Sequence, residues 1–133
     1  MKSMKFSISE KEGKNFAKLS GDKNKIHLDE LYGYNSAFNN KICHGCLILI
    51  KFLKLIRIEK LISKYKNYNV SINFIRHFNY KNEISIIKKK DSYWLRQKNE
   101  ICAKIDIIDK SLSSDENLHL KRIDKKRLAK NNN

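Results

Sequence analysis

The sequence predicts an α+β fold in which an antiparallel sheet wraps around one long buried helix. Two observations predict it. The run from Leu47 to Ile62 places apolar residues nearly all round a helix in its first half, and such a helix must be covered on most sides. After Tyr65 the apolar period switches from helical to two and stays there to Ile107, as in half-buried strands. With 133 residues the default is one domain, large enough to bury a core.

The elements follow in order. Met4 to Ile8 alternates weakly and reads as a short first strand. Ser9 is an N-cap with Glu12 at capping-box spacing. Phe16, Ala17 and Leu19 give the helix that follows its apolar face, and Gly21 ends it. Asp22 to Leu28 reads as a tight polar connection. Asp29 caps a short helix through Leu31, Tyr32 and Tyr34, and Asn35 to Lys41 is a loop. The central helix then runs from His44 for about five turns, to Ile62, with a wet side in its second half from Lys54, Arg57, Glu59 and Lys60.

Four strands with turns complete the domain. Val70, Ile72, Phe74 and Ile75 mark one, and Asn79 to Asn82 is a turn. Ile84, Ile86 and Ile87 mark the next, followed by Tyr93, Trp94 and Leu95, a hairpin turn at Lys98 and Asn99, and a clean alternation at Ile101, Ala103, Ile105 and Ile107. The domain is read as residues 1–110. Residues 111–133 form a polar, lysine-rich tail, expected to be disordered or loosely docked.

A formal charge of +15 invites a nucleic-acid reading. Lysines are spread along the whole chain, and asparagine and isoleucine are abundant while proline is absent. That pattern is compositional drift and not a patch, so neither nucleic acid nor a membrane is the expected partner. A basic rim would still steer a phosphate-bearing ligand or an acidic carrier protein. No apolar run reaches the roughly 18 residues of a membrane span. The odd cysteine count (Cys43, Cys46, Cys102) and the lack of a recognisable secretory segment argue against a disulfide framework. A reducing, cytoplasmic location is the expectation. Cys43 and Cys46 have zinc-type spacing but no second pair, so they read as core filler and no metal is expected.

The chemistry concentrates in two places. Asp22, Asn24, His27 and Asp29 pack acids, an amide and an imidazole into a short stretch, and His44-Gly45 stands where the central helix begins. A carboxylate, an imidazole and a helix N-terminus are the parts needed to activate water beside a polarised carbonyl. Each also has a plain structural reading: Asp22 and Asn24 as turn residues, Asp29 as a cap, His44 as the first residue of a helix. His77 and His119 read as incidental, and Tyr93 and Trp94 as sheet packing.

The stretch Phe16, Ala17, Leu19, Ser20, Gly21, Asp22, Asn24, Ile26, His27, Asp29, followed by Phe38 and by Ile42, His44 and Gly45, resembles the hydratase signature of the MaoC-like family. Val70 to Arg76, with Asn82 and Glu83, resembles that family's strand, turn and strand after the helix. The resemblance covers about residues 4 to 109. It implies a single hot-dog domain that hydrates trans-2-enoyl thioesters to (R)-3-hydroxyacyl thioesters, or dehydrates them. It implies Asp22 and His27 as the catalytic pair, Asn24 as an orienting residue and the Gly45 backbone N–H as the oxyanion donor. His44, Ile42, Cys46 and Phe38 are the implied substrate contacts. No metal or redox cofactor is implied; the acyl group arrives as a thioester of coenzyme A or acyl carrier protein. A homodimer is expected, since a single hot dog leaves sheet edges and one helix face poorly covered. Lys25 stands where the family usually has proline; proline fixes such a turn, so the lysine either loosens the pair or is merely tolerated. A hot-dog thioesterase and a non-catalytic hot-dog binding or assembly protein are the alternatives.

Overall fold

The computed structural model describes residues 4–110; the tail expected over 111–133, with His119, lies outside the described residues. The elements are β1 (Met4–Phe6), α1 (Glu10–Ser20), α2 (Lys25–Leu28), α3 (Glu30–Tyr34), α4 (Gly45–Ile58), β2 (Tyr68–Phe74), β3 (Ile84–Lys89), β4 (Ser92–Gln97) and β5 (Glu100–Asp109). The five strands form one sheet, ordered β1-β3-β4-β5-β2, with every neighbour antiparallel.

The sheet packs one face against α4. Leu47, Ile48, Phe52 and Ile56 on the helix meet Ile84, Ile86, Tyr93, Leu95, Ala103, Ile105 and Ile107 on the strands. The Tyr93 ring stands edge-on to Phe52 at 5.2 Å. Its neighbour Trp94, projecting from the opposite face of the strand, lies under the Lys104 ammonium. Both are sheet packing, as expected.

Both ends of α1 and the start of α3 follow the sequence closely. Ser9 and Glu12 form the full capping box of α1, and Gly21 closes it in the left-handed conformation, φ 79°. Asp29 caps α3 by accepting from the Tyr32 amide at 2.9 Å.

Four expectations need correction. Leu19 does not join the apolar face of α1; it is 89% exposed. Asp22 to Leu28 is not all connection, because α2 forms one helical turn there. Helix α4 is four turns long and stops at Ile58, leaving Leu61 and Ile62 beyond it. A Schellman closure ends it: the Leu61 amide donates to Ile56 and the Lys60 amide to Arg57, with Lys60 at φ 60° in place of the usual glycine. The first half of α4 is not buried all round either. Cys46 is exposed and Ile50 is 53% exposed, so the Cys43–Cys46 pair is core filler at Cys43 only.

An irregularity in β5 shapes the cleft. Leu95 faces Ala103 while Arg96 faces Ile101, so Cys102 is the extra residue of a bulge. Its carbonyl accepts from both the Ile75 and Arg76 amides. That double bond pattern ends β2 and turns Ile75–His77 across the mouth of the cleft.

Candidate active site

The turn before α2 is built from side chains that bond their own backbone. The Asp22 carboxylate accepts from the Asn24 amide at 3.3 Å, and the Asn24 side chain caps α2 through the Ile26 amide at 3.1 Å. Asn24 therefore acts on the site by starting the helical turn that carries His27. Lys25 occupies the first position of that turn, where proline is favoured because its φ is preset. Here the caps at Asp22 and Asn24 hold the turn without it.

His27 is pinned from both sides of its chain. Its Nδ1–H donates to the Ile42 carbonyl at 2.8 Å, and the Ile26 carbonyl accepts from the Ile42 amide at 3.0 Å. A carbonyl can only accept, so the hydrogen belongs on Nδ1 and Nε2 carries the lone pair. Nε2 lies 3.8 Å from the Asp22 carboxylate. That is too long for a direct hydrogen bond, and it leaves two acceptors converging on one small volume. A water donating one hydrogen to each would present its own lone pair outward.

The cleft beside His27 has a volume of about 570 Å³. Ile42, Cys43, Phe74, Phe78 and Cys102 supply apolar walls, with Phe38 against His77 at 4.7 Å. Arg76, Lys98 and Glu100 stand among the polar lining residues, with Arg76 and Glu100 paired at 3.6 Å. Burial and then the charges of Lys98 and Arg76 pull the His77 imidazole below its ordinary value, with Glu100 opposing. Burial, reinforced by Glu12, pushes the Cys43 thiol up to about 12. Asp22 is not among the residues lining this cleft; it meets the site only through His27, and its side chain is half exposed.

Gly45 lines the same cleft at the first position of α4. Backbone N–H groups there have no partner within the helix and sit at its positive end. A Cβ at Gly45 would stand 2.9 Å from the Phe74 ring, so only glycine allows this close approach without a shift.

The expected substrate contacts divide. Ile42 and Phe38 line the cleft. His44 and Cys46 are not among its lining residues: His44 is 2% exposed beneath His27, and Cys46 points to solvent. Cys43 takes the place expected of Cys46, because the helix begins at Gly45 and sets the position before its N-cap inward. His77, read as incidental, lines the cleft, as do Phe74, Phe78 and Cys102. Their signal lies in the bulge at Cys102, which no short motif announces.

Asp22, His27 and His44 bring ligand-type atoms within 4.8 Å of one another. The rings do not suit an ion. Imidazole lone pairs lie in the ring plane, and these rings are stacked 3.9 Å apart with planes 26° apart. Two such lone pairs cannot both reach one zinc-sized ion at about 2.0–2.1 Å.

No protein-family model matches the chain, and no curated protein sequence matches it. Solved structures do. An (R)-hydratase from A. caviae involved in PHA biosynthesis superposes with a TM-score of 0.64 at 20% identity, over 80% of this chain and 91% of that one. A MaoC-like dehydratase from Rhodospirillum rubrum gives 0.63 at 15% identity, over 80% and 86%. A monoamine oxidase regulatory protein from Archaeoglobus gives 0.62 at 18% identity, over 81% and 86%. These likenesses show the fold: the chain is a hot dog, with its sheet wrapped on α4.

Proposed function

We propose that this chain adds water across the double bond of trans-2-enoyl thioesters, giving (R)-3-hydroxyacyl thioesters, or runs the reverse dehydration. The observation that carries the reading is the convergence of the Asp22 carboxylate and the His27 Nε2 lone pair, 3.8 Å apart, beside the cleft into which α4 opens at Gly45.

The steps follow from that geometry. A water held by Asp22 and His27 attacks C3 of the enoyl group, and one of its protons passes to the pair as the C3–O bond forms. The C2–C3 π electrons move toward the thioester carbonyl, and the Gly45 N–H stabilises the enolate oxygen. The pair returns its proton to C2, so the sum is one water added and nothing oxidised or reduced. The acyl group would lie along the apolar walls. The carrier, coenzyme A or acyl carrier protein, would reach it past the basic side of the cleft near Arg76 and Lys98.

The same reading includes a homodimer. β2 is an edge strand with Val70 and Phe74 partly exposed, and Ile50 is open on α4. Apolar edge strands of this kind are covered in stable proteins. Light scattering on the purified chain checks the stoichiometry.

The activity is tested with crotonyl-CoA, following enoyl absorbance and free thiol together. Loss of absorbance without thiol supports hydration. Thiol release means a thioesterase, and no change in either signal leaves a binding protein on the same scaffold.

A further inference from the structure

His44 is the N-cap residue of α4, yet its side chain makes no capping bond. The ring reaches instead to a residue 22 positions earlier, where its Nε2–H donates to the Asp22 carbonyl at 2.9 Å. One face of the ring stacks on His27 at 3.9 Å. Phe16 of α1 packs edge-on against it at 4.9 Å. The ring is buried, and its Nδ1 has no partner among the described residues. The Asp22 carbonyl can only accept, so the hydrogen belongs on Nε2 and the buried Nδ1 carries the lone pair.

We infer that His44 is a positioning residue, which locks Asp22, His27 and the Gly45 amide into one unit through its bond to Asp22, its stack on His27 and its place before Gly45 in the chain. This rests on the hydration reading for its kinetic consequence, but not for its structural one. The Asp22 carboxylate is half exposed and held only by its own turn. Without an anchor on its backbone, the spacing to His27 is free to drift, and an error of about 1 Å in such a site costs up to roughly 100-fold in rate.

Two variants of the full chain separate the contacts. His44→Phe keeps a stacking ring and removes the donor. His44→Gln keeps a donor near the Nε2 position and removes the ring. With crotonyl-CoA, His44→Phe is expected to lower kcat tenfold or more with KM within about twofold, and His44→Gln to recover part of it. In an Asp22→Asn background, His44→Phe should add little, because it acts through Asp22. Independently of turnover, 15N relaxation of the Asp22–His27 amides should show greater mobility in His44→Phe and recovery in His44→Gln, with thermal melts showing both folded. Unchanged mobility in His44→Phe overturns the inference, as does a loss that multiplies fully with Asp22→Asn. An inactive parent protein with the expected mobility change overturns the hydration reading and leaves the positioning role standing.

Discussion

The Tyr80 hydroxyl donates to the backbone carbonyl of His27 at 3.0 Å, across 53 residues of sequence. Burial, with smaller contributions from Cys43 and Glu10, pushes this phenol up to about 12, so it stays a donor at any working pH. The same ring lies on Gly13 of α1, where an added Cβ would run into the hydroxyl. One tyrosine therefore fastens both α1 and the turn carrying His27.

Tyr80→Phe keeps the ring and drops the bond. Thermal and urea unfolding should show a loss of about 1 kcal/mol, and hydration should slow. Gly13→Ala reverses an ordinary rule. In a helix interior that change normally stabilises by about 0.5–1 kcal/mol; here it should destabilise, because Tyr80 must move. A stabilised Gly13→Ala protein would contradict the packing described.

The cysteines should react unequally. Cys46 is exposed, while Cys43 and Cys102 are buried with raised thiol values. At pH 8, a Cys43 thiol titrating at about 12 is thiolate in roughly one molecule in ten thousand. Iodoacetamide labelling read by peptide mass should therefore mark Cys46 first and Cys43 only on unfolding.

Much of this arrangement was legible in the sequence, and the losses have physical causes. The Ser9–Glu12 box, Gly21 and Asp29 could be read because capping is local chemistry. The strands could be read because one face is buried, which leaves a period of two. The end of α4 could not, because Lys60 takes a left-handed conformation that glycine usually signals. The inward turn of Cys43 and outward turn of Cys46 depend on where α4 begins, to the residue. The path of the His44 ring to Asp22 is a tertiary contact with no sequence signal beyond its place before Gly45. The cleft's far wall rests on the bulge at Cys102, which the alternation of β5 conceals.

Acid stability should depend on α1. Burial alone would raise Glu12, but its bonds to Lys51 and Ser9 outweigh this and hold it below its ordinary 4.5. Glu10 is held below the same value chiefly by its hydrogen bond and ion pair with Lys41. A carboxylate with a lowered folded-state value contributes stability above its unfolded value, and that contribution is lost as pH falls through the folded one. Glu12→Gln should therefore flatten the fall in melting temperature below pH 4.5 and cost stability at neutral pH. An unchanged acid slope would contradict the assignment.

Gln97 is buried; its Oε1 accepts from the Asn79 amide at 2.8 Å, and its Nε2 donates to the Asn79 carbonyl at 3.0 Å and the Asn82 carbonyl at 3.1 Å. Gln97→Leu keeps much of the volume and strands those groups. Urea unfolding should show a loss of roughly 1–3 kcal/mol, the cost of an unsatisfied buried polar group.

Hydration as proposed requires Asp22 and His27 to share one water. The most direct measurement is the steady-state hydration of crotonyl-CoA by the parent protein and by Asp22→Asn, an isosteric change that leaves the turn able to form. The parent should show a measurable rate and the variant a kcat lower by at least about 100-fold, with the melting temperature little changed. A parent rate that survives Asp22→Asn would contradict the shared water.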